Sequence, residues 1–437
     1  MMSAFRRGRA GCIITAVTKF PRARMSIPRR IMRGQRKEYP MVSGSMYKLG
    51  TAVSPIRAYY ELGWSRAEEL GRENIFDFSL GAPAVPMPDA YRRELIRLLE
   101  EEDQVKLHTY APHPGVPETK KAITDDLNRR FGCSFDPGDI IMTAGAAPAI
   151  SAVLSAIKTS PSDEIALLAP YFSEYSAIIE GLGLKKLEIK TLEPDFHLDL
   201  DAIERALGPD TAALLLNSPN NPSGAVYPAE DLKRLAEILK NKSEEFGRRI
   251  FLISDEPYRE LMLEDEEFPF PANFYDDTVI CYSYSKSLSI AGERMGYVLI
   301  PGANGEKKKL FPAVMGAARA NGVSNAPVLF QKALIKCAGL SSDTELYRKN
   351  RDVLYDALTS MGYVCTKPKA TFYMMVKTLE DDRAFCERAA GMGLIFAPCS
   401  GFGFPGYVRV ALCVPEDTAK RSVGAFRRLM DSYRQEP

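Results

Sequence analysis

Tyr282-Ser-Tyr-Ser-Lys-Ser-Leu-Ser-Ile-Ala-Gly-Glu-Arg294 sets one amine among hydroxyls, with a guanidinium eight residues further on. The lysine, Lys286, follows the apolar run Thr278-Val-Ile-Cys, which reads as a buried strand. A lysine condenses with an aldehyde only through its neutral amine, so it needs a low-dielectric or cationic neighbourhood that lowers its pKa. The segment reads as a Schiff-base lysine beside a phosphate-holding cup, in which Ser283 and Ser285 offer hydroxyls and Arg294 offers a bidentate guanidinium fork. Taken alone, a lysine among serines after a strand is more often a solvated loop. The decision rests on what else the chain supplies.

A second element lies upstream, Arg249-Ile-Phe-Leu-Ile-Ser-Asp-Glu-Pro-Tyr258, where a β-rich apolar run ends in Asp255 and a proline-containing turn. Ligands collect outside the carboxyl ends of open parallel sheets. An aspartate placed there can keep a pyridine nitrogen protonated, although a turn or helix-capping aspartate is an equally common reading. A third element, Ala212-Ala-Leu-Leu-Leu-Asn-Ser-Pro-Asn-Asn-Pro-Ser-Gly224, repeats the pattern of a buried strand followed by a turn dense in Asn, Pro and Gly.

In this order and spacing, the three elements resemble the class I/II aminotransferase family, pyridoxal-phosphate enzymes of fold type I, from about Met46 onward. The resemblance implies an α/β fold with a large domain built on a mainly parallel sheet flanked by helices, and a smaller α/β C-terminal domain. It implies that Lys286 holds pyridoxal 5'-phosphate as an imine, that Asp255 pairs with the pyridine nitrogen, and that Asn221 and Tyr258 hydrogen-bond the ring hydroxyl oxygen. Ser283, Ser285 and Arg294 would take the phosphate. Ile140-Ile-Met-Thr-Ala-Gly-Ala-Ala-Pro-Ala-Ile150 is similar to the family's strand, glycine turn and helix start, where the amides of Ala146 and Ala147 would meet the same phosphate.

Leu167-Leu-Ala-Pro-Tyr-Phe-Ser-Glu-Tyr175 resembles the family's Pro-x-aromatic turn, so Phe172 would stack on the ring; an aromatic after a strand is otherwise core packing. His108-Thr-Tyr-Ala-Pro-His-Pro-Gly115 resembles a loop whose tyrosine reaches the neighbouring subunit's phosphate, so Tyr110 implies a homodimer with shared active sites. Phe78-Ser-Leu-Gly-Ala-Pro83 would bring Gly81 to the substrate, and Gly406-Tyr-Val-Arg-Val-Ala-Leu412 would present Arg409 to clamp the α-carboxylate, with Asn221 beside it. By the same resemblance, Lys286 is both covalent anchor and general base, and two half-reactions give ping-pong transfer from an L-amino acid to a 2-oxo acid. Neither distal-carboxylate device of the family is clearly present: Ala147 stands where one branch has a lysine, and Ala320 precedes Ser324-Asn325 where another has an arginine, with Arg319 one residue away. Aspartate and glutamate are still the first expectation, because they are the family's usual amino-group currency. A carbon–sulfur β-lyase is the alternative enzyme. A non-catalytic regulatory module is a third reading, and the first 45 residues are too short to supply the winged helix it would need.

Composition agrees with such an enzyme. At 437 residues the chain exceeds the size at which one core keeps growing, and 46% hydrophobic with 26% charged residues describes an ordinary globular protein. No apolar stretch is long enough to cross a membrane. Eight scattered cysteines without a C-x-x-C pair and three histidines argue against zinc sites and a disulfide scaffold, and so for reduced thiols and a cytoplasmic setting.

The net charge of +1 conceals an asymmetry: residues 1–37 carry eleven basic side chains and no acid, leaving 46 basic against 56 acidic residues in the remainder. Residues 1–45 are expected to be a basic extension, disordered or mis-assigned, with Met25, Met41 and Met46 as candidate starts; a targeting segment is the alternative. No aromatic interleaving suggests nucleic acid. Residues 46–75 are expected to form a helix docked on the small domain, 76–330 the large cofactor domain and 331–437 the small domain, with Gly316–Pro327 as the nearest thing to a boundary. The apolar spacing predicts helices over Pro117–Phe131 and Ala229–Phe246.

Overall fold

The computed structural model describes residues 42–52, 55–323 and 325–435; the basic extension up to residue 41 and Ser324 lie outside them. Its strands are β1 (Phe76–Asp77), β2 (Ile140–Thr143), β3 (Glu164–Ala169), β4 (Lys185–Lys190), β5 (Thr211–Asn217), β6 (Phe251–Asp255), β7 (Thr278–Ser283), β8 (Gly296–Leu299), β9 (Tyr373–Lys377), β10 (Leu394–Ile395), β11 (Ala397–Pro398) and β12 (Tyr407–Ala411). Seven form one sheet in the order β2-β8-β7-β6-β5-β3-β4. The pairs β3/β4, β3/β5, β5/β6 and β6/β7 are parallel, whereas β8 runs antiparallel to both β7 and β2.

Helices cover both faces of this sheet, which is why its central strands are continuous apolar runs and not alternating ones. Ile165 and Leu167 point into one core layer while Ala166 and Leu168 point into another. The helix Pro117–Phe131 opens on proline at its first position and ends at Gly132, whose φ of 65° is left-handed. Ala229–Phe246 buries Leu232, Leu235, Ala236, Ile238 and Leu239 along one stripe and stops at Gly247. Both helices have the bounds that the apolar spacing predicts.

The C-terminal part contains the antiparallel sheet β11-β12-β9 with the helices Glu345–Met361, Asp382–Ala390 and Glu416–Arg434. β1 pairs with β10, joining residues 76–77 to this part. The N-terminal segment contains two helices, Gly44–Thr51 and Pro55–Leu70, where the sequence suggests one, and the second packs against β10, β11 and Asp382–Ala390. Within Gly316–Pro327 the helix Lys307–Ala320 runs through Gly316 and ends, and the next helix begins at Val328.

Candidate active site

The register of the large sheet sets three strand ends side by side. Asn217 at the end of β5 pairs with Asp255 at the end of β6, which pairs in turn with Cys281 near the end of β7. The helical turn Tyr284–Ser287 follows β7 directly and holds Lys286 over these ends. With Tyr110 and Arg319 excepted, every site candidate named from the sequence lines a single cavity of about 300 Å³ here.

Lys286 donates through Nζ to the Gly81 carbonyl at 2.6 Å, and the nitrogen lies 5.6 Å from the Phe372 ring centre. Burial lowers its pKa to about 8, and the nearby Arg409 and Arg294 guanidinium groups push the same way. Gly81 has no room for a side chain, because a Cβ there would lie 1.7 Å from the Tyr373 hydroxyl.

Asp255 is 4% exposed. Its Oδ2 accepts from the Tyr175 hydroxyl, and Asn217 donates to its backbone carbonyl at 2.9 Å. Its Oδ1 is buried without a hydrogen-bond partner among the described residues. Burial raises the carboxyl to about 7, with the Tyr175 hydrogen bond pulling the other way.

A cup lies at the opposite end. Ser283 donates to Ser285 Oγ at 2.7 Å, and Arg294 Nη1 lies 3.4 Å from the same hydroxyl. Arg294 adopts a left-handed φ of 55°, and Gly145 leaves space for its guanidinium, since a Cβ on Gly145 would meet Nη2 at 2.7 Å. Gly145 also caps the helix Ala146–Ile157, whose first amides belong to Ala146 and Ala147.

Arg409 stands on β12, 1% exposed. Its Nη1 donates to Asn221 Oδ1 at 3.0 Å and its Nη2 to the Ser79 carbonyl at 2.6 Å, while the guanidinium lies between the rings of Tyr373 (4.4 Å) and Phe402 (4.9 Å). The Asn221 amide orientation is fixed by this contact, because arginine can only donate. Tyr258 shares a hydrogen bond with Tyr373 at 3.2 Å, and Phe172 meets Tyr175 edge to face.

Tyr110 is wholly exposed and apart from the cavity, and Arg319 is exposed on the last turn of Lys307–Ala320. The cavity also takes in Tyr175, Asn217 and Tyr373, whose place here no sequence pattern signals, together with the apolar Ile56, Ile150 and Ile178.

This donor set fits pyridoxal phosphate. A buried carboxylate oxygen without a partner suits a protonated ring nitrogen, a depressed lysine suits an aldehyde, and two hydroxyls, a guanidinium and a helix N-terminus suit a phosphate dianion.

A sequence profile described as "Aminotransferase class I and II" matches residues 73–426. An aspartate/prephenate aminotransferase of Thermus thermophilus is 29% identical over 380 residues, covering 84% of this chain and 94% of that protein. A probable N-acetyl-LL-diaminopimelate aminotransferase of Bacillus subtilis is 29% identical over 366 residues, covering 80% and 88% respectively. Among solved structures, an aminotransferase from Eubacterium rectale superposes with a TM-score of 0.89 at 43% identity, over 91% of this chain and 100% of that one. The Thermus thermophilus aspartate aminotransferase with maleate gives 0.76 at 27% identity, over 90% and 100%. With the profile spanning most of the chain, this protein belongs to the class I and II aminotransferases, pyridoxal-phosphate-dependent enzymes of fold type I.

Proposed function

We propose that the enzyme transfers the amino group of an L-amino acid, aspartate or glutamate in the first place, to a 2-oxo acid by a ping-pong sequence at the cavity around Lys286. The observation that carries this reading is the convergence of Lys286, Asp255 and Arg409 on one cavity. When bound, pyridoxal phosphate supplies an electron sink for negative charge at the substrate α-carbon.

The residues divide the remaining work. Lys286, with its pKa lowered to about 8, has a neutral fraction at neutral pH large enough to anchor the cofactor and, once released, to take the α-proton. Asp255 presents its free Oδ1 toward the ring nitrogen, held by Tyr175 on the other oxygen. Asn221 and Tyr258 serve the ring hydroxyl oxygen, and Phe172 the ring face. Ser283, Ser285, Arg294 and the amides of Ala146 and Ala147 hold the phosphate. Arg409 clamps the α-carboxylate, and Gly81 keeps the backbone close to the reacting atoms.

The full exposure of Tyr110 supports a homodimer in which this side chain reaches the partner's phosphate. The seven described cysteines are free thiols, which suits a cytoplasmic setting. Aspartate is supported by the names of the Thermus relatives and not by the cavity, whose three cations, Lys286, Arg294 and Arg409, all have other tasks.

The test mixes the cofactor-loaded enzyme with each amino acid in turn and follows loss of the lysine-linked cofactor absorbance with formation of the 2-oxo acid. Aspartate and glutamate are expected to react fastest. Release of free ammonia and pyruvate from cystathionine without added oxo acid would replace transamination by β-elimination.

A further inference from the structure

Beneath the cavity, the residue following each of the two central groups enters one buried polar network. Glu256 follows Asp255; its Oε1 accepts from Ser254 at 2.8 Å and its Oε2 from Arg259 Nη1 at 2.9 Å. The Arg259 guanidinium also reaches Glu260 Oε1 at 3.0 Å and the Tyr297 hydroxyl at 3.1 Å, and lies 4.3 Å from the Tyr282 ring centre. Glu260 takes a further bond from Arg130 at 3.0 Å, and its Oε2 accepts from the Tyr282 hydroxyl at 2.6 Å. The Tyr282 oxygen is 2.8 Å from Ser287 Oγ, and Ser287 follows Lys286. Because the single tyrosyl hydrogen goes to Glu260, Ser287 donates to Tyr282.

We propose that Ser287, Tyr282 and Glu260 are positioning residues that fix the turn carrying Lys286 relative to the strand end carrying Asp255. The proposal rests on the role given above to Lys286. The turn Tyr284–Ser287 is only four residues long and cannot hold its own geometry as a helix, so its orientation is set by what grips it. Ser287 is gripped twice: its hydroxyl by Tyr282, and its carbonyl by the Ser342 amide at 2.6 Å. Ser287 is fully buried, so water cannot substitute for the tyrosyl oxygen. On the far side, Glu260 stays charged: burial works to raise its pKa, but Arg259 and Arg130 together outweigh it and keep the carboxyl low. The bond from Tyr282 is therefore charge-assisted and sits in a low-dielectric interior, which makes it a stiff support. The network also ties the ends of β6 and β7 together through side chains that touch neither the cavity nor its predicted ligand.

The test compares Ser287→Ala, Tyr282→Phe and the double variant as cofactor-loaded enzymes. Three quantities are read: the first-order rate of the amino-donor half-reaction, the donor concentration at half-saturation, and the pH midpoint of the lysine-linked cofactor absorbance. Misplacement of a reacting amine by a fraction of an ångström predicts a rate loss of about tenfold to a hundredfold for either single variant, with half-saturation little changed. The pH midpoint should move, and the double variant should be no worse than the worse single one, because both cut the same link. A fall in thermal stability with rate and pH midpoint unchanged would reduce the network to scaffolding, and fully additive losses would break the proposed link. If Tyr282→Phe does not fold, Ser287→Ala alone decides, since it removes one oxygen and leaves the Glu260 ion pairs intact. Full turnover in Lys286→Ala, by contrast, would overturn the role of Lys286 itself.

Discussion

Tyr175 donates its hydroxyl hydrogen to Oδ2 of Asp255, eighty residues along the chain, and leaves Oδ1 of the same carboxylate buried without a partner among the described residues. One oxygen is thus fixed and the other is aimed. The carboxyl titrates near 3.8 when unperturbed, and burial raises it to about 7 in the fold. Between those values the folded state holds more protons than the unfolded one, so this group's stabilisation is complete below the lower value and is lost as pH rises through the upper one.

Asp255→Asn removes that titration. In the cofactor-free protein, its melting temperature should gain on the parent's by a few degrees as pH rises from 5 to 8. In the loaded enzyme the half-reaction should slow by roughly a hundredfold or more, because a neutral amide does not hold the ring nitrogen protonated. Parallel melting curves at both pH values would remove Asp255 as a buried titrating group.

Lys286 titrates in the opposite sense. Burial, reinforced by Arg409 and Arg294, lowers its pKa to about 8, so the neutral amine dominates only above that pH. The rate at which added pyridoxal phosphate becomes covalently linked should rise about tenfold per unit from pH 6 to 7 and level off above 8. Lys286→Ala should bind the cofactor without a link reducible by borohydride, and lose several orders of magnitude in turnover. Intact mass after borohydride treatment checks the first claim and steady-state rates the second.

That Lys286, Asp255 and Arg409 share one cavity was legible through the family resemblance and not residue by residue, since each alone reads equally well as a loop lysine, a turn aspartate or a strand arginine. Tyr175 was not, although it lies three residues past Phe172 in a quoted motif: an aromatic on the first turn of a helix looks like core, and only tertiary packing turns its hydroxyl toward Asp255. Asn217 was hidden in the same way, its part depending on the β5/β6 register. The helices Pro117–Phe131 and Ala229–Phe246 declared themselves through apolar spacing and a glycine stop. The two-residue pairing of β1 with β10 left no trace, since backbone hydrogen bonds between segments so distant in sequence impose no side-chain pattern.

Gly81 and Tyr373 occupy one small volume. A methyl group on Gly81 would lie 1.7 Å from the tyrosyl oxygen, and the Gly81 carbonyl also receives Lys286 at 2.6 Å. Gly81→Ala must therefore displace Tyr373, with loss of its hydrogen bond to Tyr258, or shift the backbone, at a cost on the order of 1–3 kcal/mol. The half-reaction rate should fall at least about tenfold, a change of roughly 1.4 kcal/mol in barrier. Adding Tyr373→Leu, which clears the space, should recover part of the stability lost in Gly81→Ala. Purely additive destabilisation in the pair would show that the two residues do not compete for this space.

Arg409 is held by Asn221 and the Ser79 carbonyl beside two aromatic rings, with its Nε buried and unpartnered among the described residues. Lysine cannot reproduce that arrangement, because it has no planar fork and cannot stack between Tyr373 and Phe402 in the same way. If the guanidinium clamps the substrate α-carboxylate, Arg409→Lys should cost roughly 2–4 kcal/mol in kcat/KM, and the loss should fall on every amino donor alike because every donor carries that carboxylate. Arg319 is exposed on the final turn of its helix and outside the cavity, and in the proposed homodimer it would read a second carboxylate only in the partner's cavity. Arg319→Ala should then weaken aspartate while sparing alanine. Measuring kcat/KM for both donors in both variants separates the two roles: equal losses for aspartate and alanine in Arg319→Ala would remove it from specificity, and an unchanged value in Arg409→Lys would remove the clamp.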